Sequence, residues 1–354
     1  MERVNDIDLG KFKVWNAITG TKQETKISAT FFSLVRNSEL QGMLDSIKYL
    51  NERFDNAKYG YSWVFANEEP FLETFIAAVR SAFTSGTPHF VQIPTEYWSY
   101  PDFIDQDKAA KERAKLDRER VMYAKSESYR HMCRFNSGFF FELDVMQQFR
   151  YYWRVEPNIK FQCDLPTDLF QEMADGGYVY GWTMSMPEGR KTVVGLWEAS
   201  KKFFEENPSY VHPNNSMQWV SSSDGSEYNM CHYWSNFELG DMEFFRSDAY
   251  REYFKALDRT GGYFYSRWGD APVHSIAVSF LADKLKIRHF DNTGYYHKPN
   301  QGCPMDDQLR KDLHCDCEPT KEWTWHKFSC TQQFYKLSGL EIPKLEPAEE
   351  YYVD

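Results

Sequence analysis

The sequence predicts an α/β protein with helices packed on a largely parallel sheet. Three observations carry this. Runs of β-branched and aromatic residues alternate with segments of helical periodicity along most of the chain. The apolar run Tyr151–Val155 is followed by Glu156-Pro157-Asn158, as expected of a buried strand stopped by a residue that cannot donate to its ladder. Hydrophobic residues make up 42% of the 354 and aromatic residues 18%, ample for the core of one large domain or two small ones.

In chain order, residues 1–26 read as a loose leader or stem remnant, polar throughout and without a signal-peptide core. Ile27 to Val35 is the first expected strand. Ser38 and Gln41 are spaced as a capping box, and Leu40, Met43, Leu44, Ile47 and Leu50 then recur at helical spacing. Strand Tyr61–Phe65, helix Phe71–Phe83 and strand His89–Ile93 follow. Residues 104–125 mix charges as a solvated helix does. After the central strand come a turn and helix over Asp164–Met173, a strand over Tyr178–Met186 and an amphipathic helix over Thr192–Glu206. Residues 207–227 are rich in Pro, Asn, Ser and Gly, a long loop of the kind that forms lids or acceptor-binding segments, or a simple insertion. Helix Ser247–Leu257, helix Val273–Leu281, a short strand Ile287–Phe290 and a loop through Gly294–His297 complete the expected domain, 27–335. An acidic tail, 336–354, closes the chain.

Net charge is −11 and the isoelectric point near 5.4, which disfavours a nucleic-acid groove. An anionic ligand would need local cations or a bound metal. No apolar run reaches the length of a membrane span. Seven cysteines, four of them in the loop-rich C-terminal stretch, point to disulfides in an oxidising compartment with one thiol left over. Cys133, inside a helical motif, is the expected free thiol. Zinc held by Cys303, Cys315, Cys317 and Cys330 is the rival, although paired C-x-x-C knuckles are missing. Asn214-Asn215-Ser216 is a lone glycosylation sequon.

Several segments carry candidate chemistry. Glu156 would stand at the carboxyl end of a central strand, where open α/β sheets place ligands. A carboxylate there suits a divalent cation held against a diphosphate; a solvated, idle Glu is the plain alternative. Tyr129, Arg130 and Arg134 cluster on one helix, and arginine pairs well with phosphate, though salt bridges explain them equally. Tyr228 to Glu238 is dense in rings and amides and ends in a carboxylate, the equipment for packing on a sugar and stabilising charge at its anomeric carbon; a core segment capped by Glu238 is the alternative. Asp270 either caps the following helix or faces the site. His297 lies in a loop, where imidazole can join a carboxylate on Mn²⁺.

Five stretches taken together resemble a known family: Tyr-Arg-His-Met-Cys-Arg-Phe-Asn-Ser-Gly-Phe-Phe-Phe (129–141), Trp-Arg-Val-Glu-Pro-Asn (153–158), Tyr-Asn-Met-Cys-His-Tyr-Trp-Ser-Asn-Phe-Glu (228–238), Gly-Gly-Tyr-Phe-Tyr-Ser-Arg-Trp-Gly-Asp-Ala-Pro-Val-His-Ser (261–275) and His-Phe-Asp-Asn-Thr-Gly-Tyr-Tyr-His (289–297). With the C-terminal cysteines, the chain resembles the fungal Golgi α-1,2-mannosyltransferases, glycosyltransferase family fifteen, from about residue 27 to about 330. The resemblance implies a GT-A nucleotide-diphosphosugar transferase fold with a mixed central sheet, GDP-mannose as donor, a mannoside or glycoprotein acceptor, Mn²⁺ as cofactor and retention of the α configuration. It implies Glu156 as metal carboxylate in place of a D-x-D, and His297 as second ligand. Tyr129, Arg130 and Arg134 fall in the donor site, Glu238 at the nucleophile position, and Asp270 near acceptor or sugar. It also implies a Golgi-lumenal catalytic domain behind a membrane anchor, which this sequence does not show. Departures at Pro187–Val194 and Pro166–Phe170 leave the acceptor open. A catalytically silent sugar-binding protein, or a mannosylphosphate or other hexosyl transferase on the same fold, are the competing expectations.

Overall fold

The computed structural model describes residues 27–343; the expected leader and most of the acidic tail lie outside them. Seven strands form the central sheet, numbered in chain order: β1 Ala29–Leu34, β2 Ser62–Asn67, β3 Pro88–Gln92, β4 Tyr151–Val155, β5 Tyr180–Trp182, β6 Phe237–Asp241 and β7 Ile287–His289. Their spatial order is β7-β5-β6-β4-β1-β2-β3. β1 runs parallel to β2 and β4, β2 to β3, and β5 to β7. β6 is antiparallel to both neighbours, so the sheet is mixed, as the resemblance implied.

Alternation along the strands divides the core. Phe31, Trp63, Phe65, Trp153 and Val155 point into one hydrophobic cluster; Phe32, Val64, Ala66 and Tyr152 point into the other. This is the period-two geometry of a strand buried on both faces. Trp153 is fully buried against Phe31, Phe54, Phe161 and Phe237. Burying a ring of that size stabilises by roughly 4–6 kcal/mol before entropy is charged.

Several elements differ from expectation. The Ser38–Gln41 box does not form: Glu39 instead reaches the Arg36 backbone N–H (2.8 Å), and Gln41 bonds Asp45. The expected strand over Tyr178–Met186 is two strands, because the chain leaves the sheet after Trp182 and Ser185–Pro187 pairs with Cys231–Tyr233. The loop through His297 is a strand, Tyr295–His297, in a small sheet with Lys160–Phe161 and Asn300–Gln301. Residues 207–227 are anchored rather than lid-like: Trp219, in the short helix Met217–Val220, is fully buried and stacks on Tyr233 at 4.0 Å. The last helix, Thr331–Ser338, crosses the expected boundary at 335 and buries Phe334 and Tyr335.

Three disulfides join Cys163 to Cys315, Cys231 to Cys330 and Cys303 to Cys317, and Cys133 is free and buried. Every cysteine of the zinc alternative is therefore bonded to another sulfur, and that alternative falls. The free thiol is the one expected.

Candidate active site

Where the chain order of a parallel sheet reverses, the loops leaving adjacent strands diverge and open a crevice. Here that point lies between β1 and β4. A cavity of about 180 Å³ occupies it, lined by Val35 and Arg36 after β1, Glu68 after β2, Glu156 after β4, and the rings of Trp98 and Tyr129. Arg36 is half exposed, with Nη2 on Ser128 Oγ (2.6 Å) and Nε 3.4 Å from Glu68. It is a cation at the rim that sequence reasoning passed over.

Glu156 is held from both sides. Pro157 ends the strand, and the turn after it docks on helix Leu40–Tyr49. Ser46 Oγ donates to the Glu156 carbonyl (2.8 Å), and the Asn158 N–H donates to the Gly42 carbonyl (2.9 Å). A Cβ at Gly42 would meet the Asn158 side chain at 2.4 Å, so any larger residue there would push that side chain aside. The Glu156 side chain, 20% exposed, accepts one bond from Arg154 Nε (2.6 Å) at Oε1. Its Oε2 takes no hydrogen bond among the described residues.

Arg154 organises what lies behind. Its Nη1 donates to Asp270 Oδ2 (2.5 Å), which also accepts from Ser235 Oγ (2.9 Å). Burial opposes the charge on Asp270, but Arg154, helped by His274 and Ser235, more than offsets it and holds the carboxyl below its usual range. Asp270 is the first residue of helix Asp270–Leu281, and its side chain makes no cap bond. The capping expectation therefore fails; the side chain turns inward to Arg154 and Ser235 instead.

Glu238 lies opposite Arg154 in the β4–β6 register and is 1% exposed. Its Oε1 accepts from Tyr152 Oη (2.5 Å). Its Oε2 faces Tyr180 Oη (2.6 Å) and His274 Nδ1 (2.8 Å). Burial pushes its pKa up; His274 and Arg154 more than offset this and leave it lowered. The acid expected to attack the sugar is thus in the interior with both oxygens engaged. The gap beside it, lined by Phe32, Phe140, Tyr152 and Arg154, is too small for water.

The donor-site trio separates. Tyr129 lines the cavity, stacked on Tyr123 (4.6 Å, 13°) with the Arg267 guanidinium 5.1 Å from its ring. Arg130 does not reach the cavity: it is fully buried, and Nη1 donates to the carbonyls of Ala124 and Ser126 (2.8 and 2.9 Å). It pins the loop that carries Tyr123. Arg134 makes a two-pronged pair with Asp258 (2.7 and 2.8 Å) and covers the Phe139 ring. Both guanidinium groups are buried and neither lines the cavity, so of the three only Tyr129 stands where a donor could touch it.

His297 is tied to the Glu156 turn through the small sheet, in which Tyr295 and Tyr296 pair with Phe161 and Lys160. Its Nδ1 lies 3.2 Å from the Lys298 carbonyl and its ring meets Trp234 edge-on at 5.3 Å. The carbonyl can only accept, so Nδ1 is the donor in that contact and Nε2 is the nitrogen not used by it. Sequence reasoning also missed Arg154, Arg267 and His274. Arg154 had a signal: a charged residue inside an otherwise apolar strand must find partners.

This geometry has relatives. A family profile described as glycolipid 2-alpha-mannosyltransferase matches residues 6–339. Glycolipid 2-alpha-mannosyltransferase 1 of Candida albicans is 48% identical over 319 residues, 90% of this chain and 74% of that protein. Alpha-1,2 mannosyltransferase KTR1 of Saccharomyces cerevisiae is 47% identical over 315 residues, 89% of this chain and 80% of that protein. Among solved structures, core-mannan synthase A of Aspergillus fumigatus, in an Mn/GDP form, superposes with TM-score 0.83 at 36% identity, covering 91% of this chain and 88% of that one. Ktr4p of S. cerevisiae in complex with GDP gives 0.83 at 33%, covering 92% and 84%. The chain belongs to the fungal α-1,2-mannosyltransferases of glycosyltransferase family 15.

Proposed function

We propose that this protein transfers mannose from GDP-mannose to the 2-hydroxyl of a mannose-terminated glycan, with retention of the α configuration, in the Golgi lumen. The observation that carries the reading is Glu156: a pinned carboxylate with one free oxygen, facing a ring-lined cavity at the switch point of the sheet. Trp98, Tyr123 and Tyr129 offer faces on which a guanine or sugar can stack. Arg36 supplies positive charge at the rim.

The residues present fit a divalent ion. Glu156 Oε2 and the His297 imidazole are of the oxygen and nitrogen donor types that Mn²⁺ accepts, and would hold it beside a diphosphate. Such an ion, when bound, neutralises the negative charge that builds on the departing GDP. Arg154 fixes Glu156 in one orientation and joins it to Asp270, so the three carboxylates Glu156, Asp270 and Glu238 share one arginine. Glu238 works as a fixed buried anion that stabilises positive charge at the anomeric carbon; its burial and two engaged oxygens favour this over attack. Asp270 lies behind Arg154 and sets its position. Three disulfides fit an oxidising lumen, and no helix among the described residues is long and apolar enough to cross a membrane.

The test is incubation with GDP-mannose, Mn²⁺ and α-methyl mannoside. The expected product is an α-1,2-linked disaccharide, lost on chelation and in Glu156→Ala and His297→Ala, with Mn²⁺-dependent GDP binding weakened in both variants. Mannoside binding without product would leave a sugar-binding protein. A phosphate-bearing product would leave a mannosylphosphate transferase, and turnover of another GDP- or UDP-sugar in place of GDP-mannose a different hexosyl transferase.

A further inference from the structure

His274 is fully buried, and both ring nitrogens are engaged: Nε2 lies 3.0 Å from the backbone carbonyl of Asn136 and Nδ1 lies 2.8 Å from Glu238 Oε2. A carbonyl oxygen can only accept, so Nε2 bears a hydrogen. A proton must also lie between Nδ1 and Glu238, because two bare lone pairs at that distance repel. That proton belongs either to an imidazolium beside a carboxylate or to a neutral imidazole beside a carboxylic acid. The surroundings choose. Tyr152 and Tyr180 both donate to Glu238, and hydrogen bonds aimed at a carboxylate favour its anion.

We propose that His274 is a positioning residue of mannosyl transfer, a permanent imidazolium clamped between the Asn136 carbonyl and Glu238 that keeps Glu238 ionised and in a single orientation. The inference rests on the reading of Glu238 as the anion that meets the developing charge. The groups facing the pair are Tyr152 and Arg154 on β4, Tyr180 on β5, Tyr250 on helix Asp248–Arg259, and Asp270 one turn before His274. Phe140 and Phe245 close the rest, their ring centroids 6.5 and 5.2 Å from the imidazole. Both side chains are buried and the gap beside Glu238 is too small for water, so His274 is the charged group in direct contact that favours an anionic Glu238, with Arg154 across the ladder behind it.

Two measurements test this on the disulfide-intact protein. Selective ¹⁵N-histidine labelling reads the ring directly: His274 is expected to show two protonated nitrogens at pH 7.5, and to become neutral in Glu238→Gln. One bare nitrogen in the wild type overturns the proposal, whether or not any His274 variant folds. In His274→Gln, kcat is expected to fall about 10²-fold with KM for GDP-mannose nearly unchanged, as for loss of a transition-state donor. The acid limb of its pH–rate profile should move up by about one pH unit, because removing the cation raises the Glu238 pKa. A merely structural histidine would not move that limb. Unchanged kcat in His274→Gln beside an inactive Glu238→Gln overturns this inference alone. Full transfer by Glu238→Gln overturns the reading of Glu238, and this inference with it.

Discussion

Arg154 is the side chain whose loss reaches furthest, and Arg154→Met measures how far. The arginine side chain is 9% exposed and gives Nε to Glu156 and Nη1 to Asp270. Met fills much of the same volume and removes the charge. Glu156, 20% exposed, can recover water; Asp270, 7% exposed, cannot and retains only Ser235. Breaking a buried pair from one side costs about 3–5 kcal/mol, and the stranded Asp270 places the expected loss in that range. This is a large share of a stability of order 5–15 kcal/mol. Asp270→Asn alone should cost less, since the stranded arginine still has Glu156. The double variant removes both charges and should regain about 2 kcal/mol relative to the sum of the singles. Urea unfolding of the four proteins at one pH and salt, disulfides intact, gives the cycle. Additive losses would refute the claim that these two residues hold each other's charge. Transfer should be absent from both Arg154 variants, because Glu156 then has nothing to fix it.

Three further outcomes follow from the same packing. Arg134→Met is expected to cost about 3–5 kcal/mol, because it strands Asp258, while leaving the affinity for GDP unchanged; a tenfold weaker GDP would restore it to the donor site. Replacing both cysteines of the Cys231–Cys330 pair, 99 residues apart, should cost about 4–5 kcal/mol, and of the Cys303–Cys317 pair, 14 apart, about 3 kcal/mol; the reverse order in urea would show that chain entropy does not govern them. Stability should peak near pH 6.5. Burial lowers the pKa of His131, His232 and His289, so their cost disappears as pH rises to the ordinary histidine value. His274, raised by Glu238 against burial, contributes stability that is lost above it, and Glu322, pushed up to about 8 by burial, contributes stability that is lost steadily from the ordinary carboxyl range up to about pH 8. A urea midpoint that climbs steadily from pH 6 to 9 would contradict these assignments.

Elements that declare themselves through their own residues were legible in the sequence. Tyr151–Val155 is found at the predicted bounds because the aromatic run and Pro157 both act locally. The first helix and the parallel strands were placed within a few residues for the same reason. What failed depended on distant partners. Tyr295–His297 is a strand only because Lys160–Phe161 and Asn300–Gln301 flank it, and neither is long enough to show a period. Residues 207–227 have a loop's composition, yet Trp219 packs on Tyr233 and donates to the Cys330 carbonyl. Arg134 could not be distinguished from a phosphate ligand without Asp258, 124 residues away.

The site shows the same division, with one exception that carries an argument. Glu156, Glu238 and Asp270 were each nominated on separate grounds, from a strand end, a ring-rich segment and a turn, and nothing local tied them together. Arg154 ties them: it bonds Glu156 and Asp270 and lies across the ladder from Glu238. An arginine between Trp153 and Val155 cannot enter a core alone, since burying an unpaired charge costs more than the strand gains. Its presence in that strand requires acids to converge on it, and convergence needs them to arrive from different parts of the chain. Three acids sharing so few cations leave the site acidic, which suits a divalent ion at Glu156 and positive charge at a sugar carbon. The buried arginine is thus both the reason the acids meet and the reason one of them, Glu156, keeps an oxygen free to face the cavity.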